Sequence, residues 1–199
     1  GCQTCAFPIK PVALHQHLRQ LAHPTSPDPG AARQFHDIDQ LLAEILGLTP
    51  DLFDRGESLP ADLSLYVPEG RQEIRPTLAL RKQSPQSPSP QEPQGNGDLL
   101  PDASTPQSRA GAGYEMLAWS LPPGLDLDKP ETATGPWEYA PAAKFDRLLR
   151  ACRVPIGLLT NHQVIRLIYA PHGEATGSIT FSLATMADAG GRPVLDAFA

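Results

Sequence analysis

The amino-acid sequence predicts an α+β fold in which helices pack on one small mixed β-sheet. An amphipathic helix is indicated by Phe145, Leu148, Leu149 and Cys152, whose i, i+3, i+4, i+7 spacing forms one buried helix face. Residues 156–183 then carry three runs rich in apolar and β-branched residues, separated by polar loops. A helix followed so closely by strands favours packing of that helix on the sheet.

The strands after this helix are predicted from proline positions and apolar runs. The helix ends before Pro155, because proline has no N–H to donate. Residues 156–159 are wholly apolar, as expected of a strand covered on both faces. We expect a two-residue hairpin turn next, in which Asn161 tolerates the positive φ that the turn requires and His162 stands where glycine would be the easier choice. Further strands follow over 163–170 and 178–183.

The first half of the chain alternates between helical and strand patterns, and the whole sheet is predicted to have about five strands. Gly47 marks the end of one helix, and Pro76 suits a sheet edge or a bulge. The predicted helices cover 11–22, 35–46 and 50–55, and the predicted strands cover 62–67, 73–80 and 114–121.

Four segments follow from these patterns. The stretch QSPQSPSPQEPQGNGDLLPDASTPQSRAGA is nearly devoid of large apolar residues and predicts a disordered Pro/Ser/Gln-rich insertion that interrupts the fold. The segments are 1–34, poorly defined; 35–82, helices and first hairpin; 83–112, the insertion; and 113–199, the strand, helix and β-ribbon core. The sequence starts at Gly1 and ends inside the helical pattern VLDAFA, so we expect a fragment of a larger protein.

Composition bounds the possible partners. The net charge of −6 argues against a generally basic, nucleic-acid-coating surface but allows a local basic patch. No apolar run is long enough to span a bilayer and no leader-like start is present, so we expect no membrane partner and a cytoplasmic location.

The cysteines give a weak metal signal. Cys2 and Cys5 have Cys-x-x-Cys spacing, which is half of a common zinc site, but no second Cys-x-x-Cys follows. Completion by histidines among His15, His17 and His23 is an alternative that their spacing does not favour. We therefore predict no metal site and take Cys152 as a small core residue.

A family resemblance is carried by FDRLLRACRVPIGLLTNHQVIRLIYAPHGEATGSITFSLATMADAGGRPVLDAF. This stretch resembles the region before the catalytic domain in adenine-specific DNA methyltransferases of DISARM-type phage-defence systems, and more loosely that of fused restriction–modification enzymes. The likeness is dense over 137–198 and weaker over 41–82. It implies a parent protein that uses S-adenosylmethionine, with the methylase motifs beyond residue 199. The present sequence has no Asn-Pro-Pro-Tyr motif, no strand-linked glycine loop and no implied cofactor of its own.

The order of elements also resembles the nuclease-like module at the front of restriction subunits. A working module needs a Pro-Asp on one strand and an acid-x-Lys on the next, which together hold a divalent metal and activate water. Here Thr77 follows Pro76, and residues 116–120 contain neither an acid nor a lysine. We therefore predict a degenerate module with no catalytic residue.

The resemblance and the charge pattern favour one functional surface. Basic side chains on the outward side of the central helix, with one on the ribbon beside it, would contact the phosphates of double-stranded DNA. The candidate nucleic-acid-binding residues are Lys144, Arg147, Arg150, Arg153 and Arg166. A solvated helix face paired with Asp146 and Glu138 is the alternative.

We conclude from the sequence that the chain is a non-catalytic module that positions DNA or a partner subunit for an adenine-specific methylase. A protein–protein interaction domain without a nucleic-acid role, and a truncated remnant, are the alternatives. For stability, the helix phase predicts a large loss on Phe145→Ala and almost none on Arg150→Ala.

Overall fold

The computed structural model of the chain describes residues 11–28, 30–68, 70–82, 111–130 and 139–199. The helices in these ranges are α1 (Pro11–Leu21), α2 (Ile38–Leu46), α3 (Pro141–Cys152), α4 (Leu183–Ala187) and α5 (Arg192–Phe198). The strands are β1 (His23–Pro24), β2 (Arg33–Gln34), β3 (Phe53–Arg55), β4 (Leu65–Val67), β5 (Gln72–Ile74), β6 (Leu78–Arg81), β7 (Tyr114–Ser120), β8 (Ile156–Thr160), β9 (Val164–Tyr169) and β10 (Gly177–Ser182). Among these helices, none is long and apolar enough to cross a bilayer.

Within the described residues, the main sheet has six strands in the order β10-β9-β8-β7-β6-β3. Every neighbouring pair is antiparallel except β7 and β8, which are parallel and are connected through α3. Two small hairpins, β1–β2 and β4–β5, lie outside this sheet. The predicted α+β class with a mixed sheet and packed helices is confirmed.

One face of the sheet is covered by α3 together with the β4–β5 hairpin. Phe145, Leu148 and Leu149 are fully buried in this layer, which confirms the predicted helix face. Gly157 on β8 lets the helix approach closely, because a Cβ there would lie 2.5 Å from Leu149 Cδ1. Burial of this helix therefore depends on the absence of a side chain at Gly157.

The opposite face is covered by α1, α2, α4 and α5. Leu18, Leu41 and Leu42 are completely buried here, and the predicted helices over 11–22 and 35–46 are confirmed as α1 and α2. Asp37 caps α2 by accepting the N–H of Asp39 at 2.9 Å. Since α1 packs on α2, the boundary predicted after residue 34 separates segments that share one core.

Two predictions for residues 50–80 are wrong. The helix expected over 50–55 is a 3-10 turn, Pro50–Leu52, followed by strand β3, because Phe53 is buried when it pairs opposite Leu80. The strand expected over 73–80 is divided at Pro76 into β5 and β6, which belong to different sheets. Proline cannot donate a ladder hydrogen bond, so it separates the two strands instead of sitting inside one.

The hairpin between β8 and β9 also differs from its prediction. Thr160 pairs with Ile165, so four residues separate the last paired residues of β8 and β9, and the positive φ of 66° belongs to His162. Asn161 instead uses its side chain, whose Oδ1 accepts the backbone N–H groups of Gln163 at 3.1 Å and Val164 at 2.9 Å. Side-chain hydrogen bonds of this kind replace a tight backbone turn.

Several predicted features lie outside the described residues. These are Cys2 and Cys5, residues 83–110 of the predicted insertion, and Glu138. Gly111, within the last two residues of the predicted insertion, is described and is buried beside the end of α3.

Candidate nucleic-acid interface

Lys144 does not lie on the exposed side of α3, so that expectation is wrong. The residue is only 4% exposed, and its Nζ donates to Gln72 Oε1 at 3.2 Å. The β4–β5 hairpin packs on this side of α3 and covers the aliphatic part of the lysine. Helical spacing alone placed Lys144 outside, since the hairpin that covers it is about seventy residues earlier in the chain.

Arg150 lies at the surface of α3 but is bound to the loop that precedes β10. Its Nε is 3.3 Å from Asp146 Oδ2, which is the intrahelical pairing that the sequence offered as an alternative. Its Nη2 donates to the Glu174 carbonyl at 3.0 Å and to Thr176 Oγ1 at 2.5 Å. Thr176 Oγ1 in turn donates to Asp146 Oδ1 at 2.6 Å. The guanidinium therefore fastens a loop to the helix.

Arg166 occupies the α3 face of the sheet, opposite to its buried neighbour Ile165, as strand alternation predicts. It does not project into solvent, because only 15% of its side chain is exposed. Its two Nη atoms donate to Asp128 at 2.5 and 2.8 Å, and its Nε donates to Thr180 Oγ1 at 2.8 Å. The hydrogen bond from Arg166 also lowers the pKa of Asp128. The expected outward contact is replaced by an ion pair.

Arg147 and Arg153 remain exposed on the outward side of α3. Arg153 ends the helix in the left-handed conformation, with φ of 57°, and its backbone N–H donates to the Arg150 carbonyl at 3.2 Å. The five predicted residues are thus divided, with two exposed on one helix, two held by neighbouring loops and one buried.

The two positions compared above with a nuclease pattern, Thr77 just before β6 and Ser120 at the end of β7, are direct neighbours. The backbone N–H of Thr77 donates to the Ala118 carbonyl at 2.7 Å, and that of Ser120 donates to Thr77 Oγ1 at 2.9 Å. The hydroxyl of Thr77 therefore supports the end of β7, where the pattern would have needed an aspartate. Asp62 and Glu73, two acids near this position along the chain, are exposed.

A serine–histidine pair lies beside this position and was missed by sequence reasoning. Ser120 Oγ is 2.9 Å from His162 Nε2, and His162 Nδ1 is 3.0 Å from the Phe35 carbonyl oxygen. Phe35 N–H donates back to the His162 carbonyl at 3.1 Å, and the two rings lie 4.9 Å apart. With the proton on Nδ1, Nε2 accepts the serine hydroxyl, an arrangement that also occurs in nucleophilic catalysis. Here the contacts attach the segment before α2 to the β8–β9 loop.

A second polar cluster lies at the β3 edge of the sheet. Asp54 accepts two hydrogen bonds from Arg81, one of them from Nε at 2.9 Å, and a third from Tyr114 Oη at 2.6 Å. The bonds from Arg81 and then Tyr114 lower the pKa of Asp54 to about 2. Burial, together with the bond to Asp54, raises the pKa of Tyr114 to about 12. The three residues come from β3, β6 and β7, so sequence patterns within one element could not identify them.

Within the described ranges, no group of three or more His, Cys, Asp or Glu side chains has an arrangement that would hold a metal ion. Burial raises the pKa of the Cys152 thiol to about 11, as expected of a buried cysteine. Comparisons of this chain with protein-family models, with curated proteins and with solved structures find no match.

Proposed function

We propose that this chain is a non-catalytic, cytoplasmic N-terminal module of an adenine-specific DNA methyltransferase in a phage-defence or restriction–modification system. In this role it positions double-stranded DNA or a partner subunit, and S-adenosylmethionine would bind to a methylase domain that follows it. The proposal depends chiefly on one observation, the exposure of Arg147 and Arg153 on the outward side of α3.

The positions of these arginines support phosphate contact more than base reading. They are six residues apart at the end of one helix, which corresponds to about 1.7 turns and a rise of about 9 Å. Phosphate contacts position a protein on a duplex without reading its sequence. Because the whole chain carries a net charge of −6, such contact has to be local. Arg150, between them, contributes mainly by shaping the surface through its loop contacts.

The element order supports a degenerate nuclease-like module. Helix α2 precedes the antiparallel strands β3, β6 and β7, and α3 then connects β7 to the parallel strand β8. Thr77 lies directly against β7, where a nuclease of this kind would combine acids from two strands. A scaffold with this element order and without the acids would be suited to holding DNA and not to cutting it.

Binding of the chain to a labelled DNA duplex across a salt series tests the proposal. Each lost phosphate contact makes the negative slope of log K against log salt shallower by about 0.9. In an Arg147→Ala/Arg153→Ala variant the slope should therefore be shallower by about 2. The matched control is Arg19→Ala/Arg192→Ala, which removes the same charge from exposed positions on α1 and α5, across the sheet. A folded chain that does not bind at low salt, or two double variants with equal losses, would overturn the proposal.

A protein-interaction domain without a nucleic-acid role is the second candidate. It is favoured by two exposed apolar side chains at one end of the sheet, Tyr169 and Ile179, which are each 55% exposed. The DNA titration separates the candidates, because this second role predicts no salt-dependent binding. A chain that unfolds without a cooperative transition would instead support the truncated remnant.

A further inference from the structure

Within the part of the chain that the structure describes, strand β10 pairs with β9 alone and so forms an edge of the main sheet, and the strand itself has none of the usual features that prevent strand pairing. Its sequence, Gly-Ser-Ile-Thr-Phe-Ser, contains no charge and no proline, and it pairs without a bulge along β9. Residues 177–180 are exposed. Natural sheets protect such edges with charges, prolines, bulges or short strands. An unprotected six-residue edge is therefore a candidate site for pairing with another strand.

The outward peptide groups of β10 can be identified from its register. The N–H of Leu183 donates to the Gln163 carbonyl at 2.9 Å, which continues the β9–β10 ladder by one residue. Ladder bonds alternate along an antiparallel strand, so the odd-numbered residues bond to β9. The N–H and C=O groups of Ser178 and Thr180 therefore point away from the sheet.

The outward N–H and C=O groups of β10 can form hydrogen bonds with the same groups of a second copy. We propose that β10 pairs with β10 of a second copy of this chain, antiparallel about a two-fold axis at Ile179. In this register Ser178 lies opposite Thr180 of the other copy, and each such pair exchanges two backbone hydrogen bonds. Ile179 lies opposite Ile179 of the other copy. This pair exchanges no backbone hydrogen bonds, and in such pairs the Cα atoms are only about 4.5 Å apart.

Charge and hydrophobicity both favour a second copy as the occupant. Since β10 is uncharged, two copies meet without opposing like charges. Arg166, behind the strand, is neutralised by Asp128 and leaves no net charge at the axis. In the dimer, the exposed side chain of Ile179 is buried against Ile179 of the other copy. Leu167 and Tyr169 form an apolar surface beside it on the same face of the sheet.

The other edge of the sheet restricts the assembly to a dimer. Strand β3 has only three residues, and its Asp54 is held by Arg81 and Tyr114. An edge that is short and charged does not add strands readily. Pairing through β10 alone is isologous and closes after two copies, which joins two six-stranded sheets.

Sedimentation velocity over a concentration series up to about 0.1 mM tests this pairing. The wild-type chain should dimerise, whereas Ile179→Lys and Ile179→Glu should each be monomeric, because two like charges would meet at the axis. An equimolar mixture of these two variants should recover a dimer, since lysine then faces glutamate. Ala151→Lys, at an exposed position on α3, is the control and should dimerise like the wild type.

A backbone variant tests the hydrogen bonds separately. Ser178→Pro removes one outward N–H and no bond to β9, so it should weaken the dimer at least tenfold. The unfolding midpoint measured by circular dichroism should stay unchanged at a concentration at which both proteins are monomeric. A wild-type chain that remains monomeric would overturn the proposal. It would also be overturned by a dimer that persists in Ser178→Pro, or by lysine and glutamate variants that do not recover a dimer when mixed.

Discussion

The two edges of the sheet are built in opposite ways. At the β3 edge a short strand carries Asp54, whose carboxylate is held by Arg81 and Tyr114 from the next two strands. At the β10 edge the strand is six residues long and uncharged. The arginines near it, Arg150 and Arg166, bind its loop and its inner side.

Ionic contacts stabilise both edges, but only those at the β3 edge also hinder pairing with a further strand. Asp54 and Arg81 place their charges on the edge strand and its neighbour, so they stabilise the strand pair and also discourage further pairing. Arg150 and Arg166 fix the position of the β10 hairpin but leave its outer peptide groups accessible. We infer that the β3 edge resists pairing with another strand and that the β10 edge can accept one.

A core substitution at the centre of the sheet gives the loss in free energy of unfolding with which the losses at the two edges are compared. Phe145 is fully buried and packs on Trp119, with ring centroids 5.8 Å apart. Phe145→Ala should lower the free energy of unfolding by about 3–5 kcal/mol, because it leaves a cavity between α3 and the sheet. Urea denaturation measures this loss. A change below that of either edge variant described next would show that α3 contributes less to the core than its burial indicates.

The β3 edge should be more sensitive to loss of its carboxylate than the β10 side. Asp54→Ala should cost about 2–3 kcal/mol, since it removes three hydrogen bonds from a largely buried group. Asp128→Ala is the matched change, because Asp128, like Asp54, accepts hydrogen bonds from two nitrogens of one arginine but is 65% exposed. It should cost less than about 1 kcal/mol. Equal losses in urea denaturation would contradict the proposed difference between the edges.

Acid should weaken the β3 edge in a defined pH range. The pKa of Asp54 is lowered from 3.8 to about 2 in the folded chain, chiefly by the hydrogen bond from Arg81. A lowered pKa stabilises the fold at pH values above 3.8, and this contribution is lost as the pH falls through 2. Urea midpoints should therefore fall more steeply between these values in the wild type than in Asp54→Asn. Parallel curves for the two proteins would show that Asp54 does not contribute to acid sensitivity.

Local sequence patterns predicted those parts of the fold in which one element determines its own burial. The spacing of Phe145, Leu148 and Leu149 gave α3 correctly, since helix periodicity and burial agree there. Strand β3 was missed because a three-residue strand has too little pattern to outweigh the helical start at Pro50. Its ladder to β6 decides the conformation.

The candidate site was less predictable, because its side chains find partners far along the chain. Lys144 reaches Gln72, Arg166 reaches Asp128, and these separations are 72 and 38 residues. Periodicity identifies which side of a helix is polar, but it does not show which polar residues are covered by another segment. Exposure of the two remaining arginines therefore required the tertiary structure.

A small effect is also predicted for Arg150, for which the sequence indicated almost no loss on truncation. Its contacts with Glu174 and Thr176 change that expectation to about 1 kcal/mol, because a one-third exposed arginine loses charge-assisted hydrogen bonds. Hydrogen exchange of the β9–β10 amides should become faster in Arg150→Ala, since the loop before β10 loses its attachment to α3. Arg153→Ala is the control, as Arg153 is exposed at the end of α3, and it should leave that exchange unchanged. If Arg150→Ala also leaves the exchange unchanged, the β10 hairpin is held by Arg166 and its ladder alone.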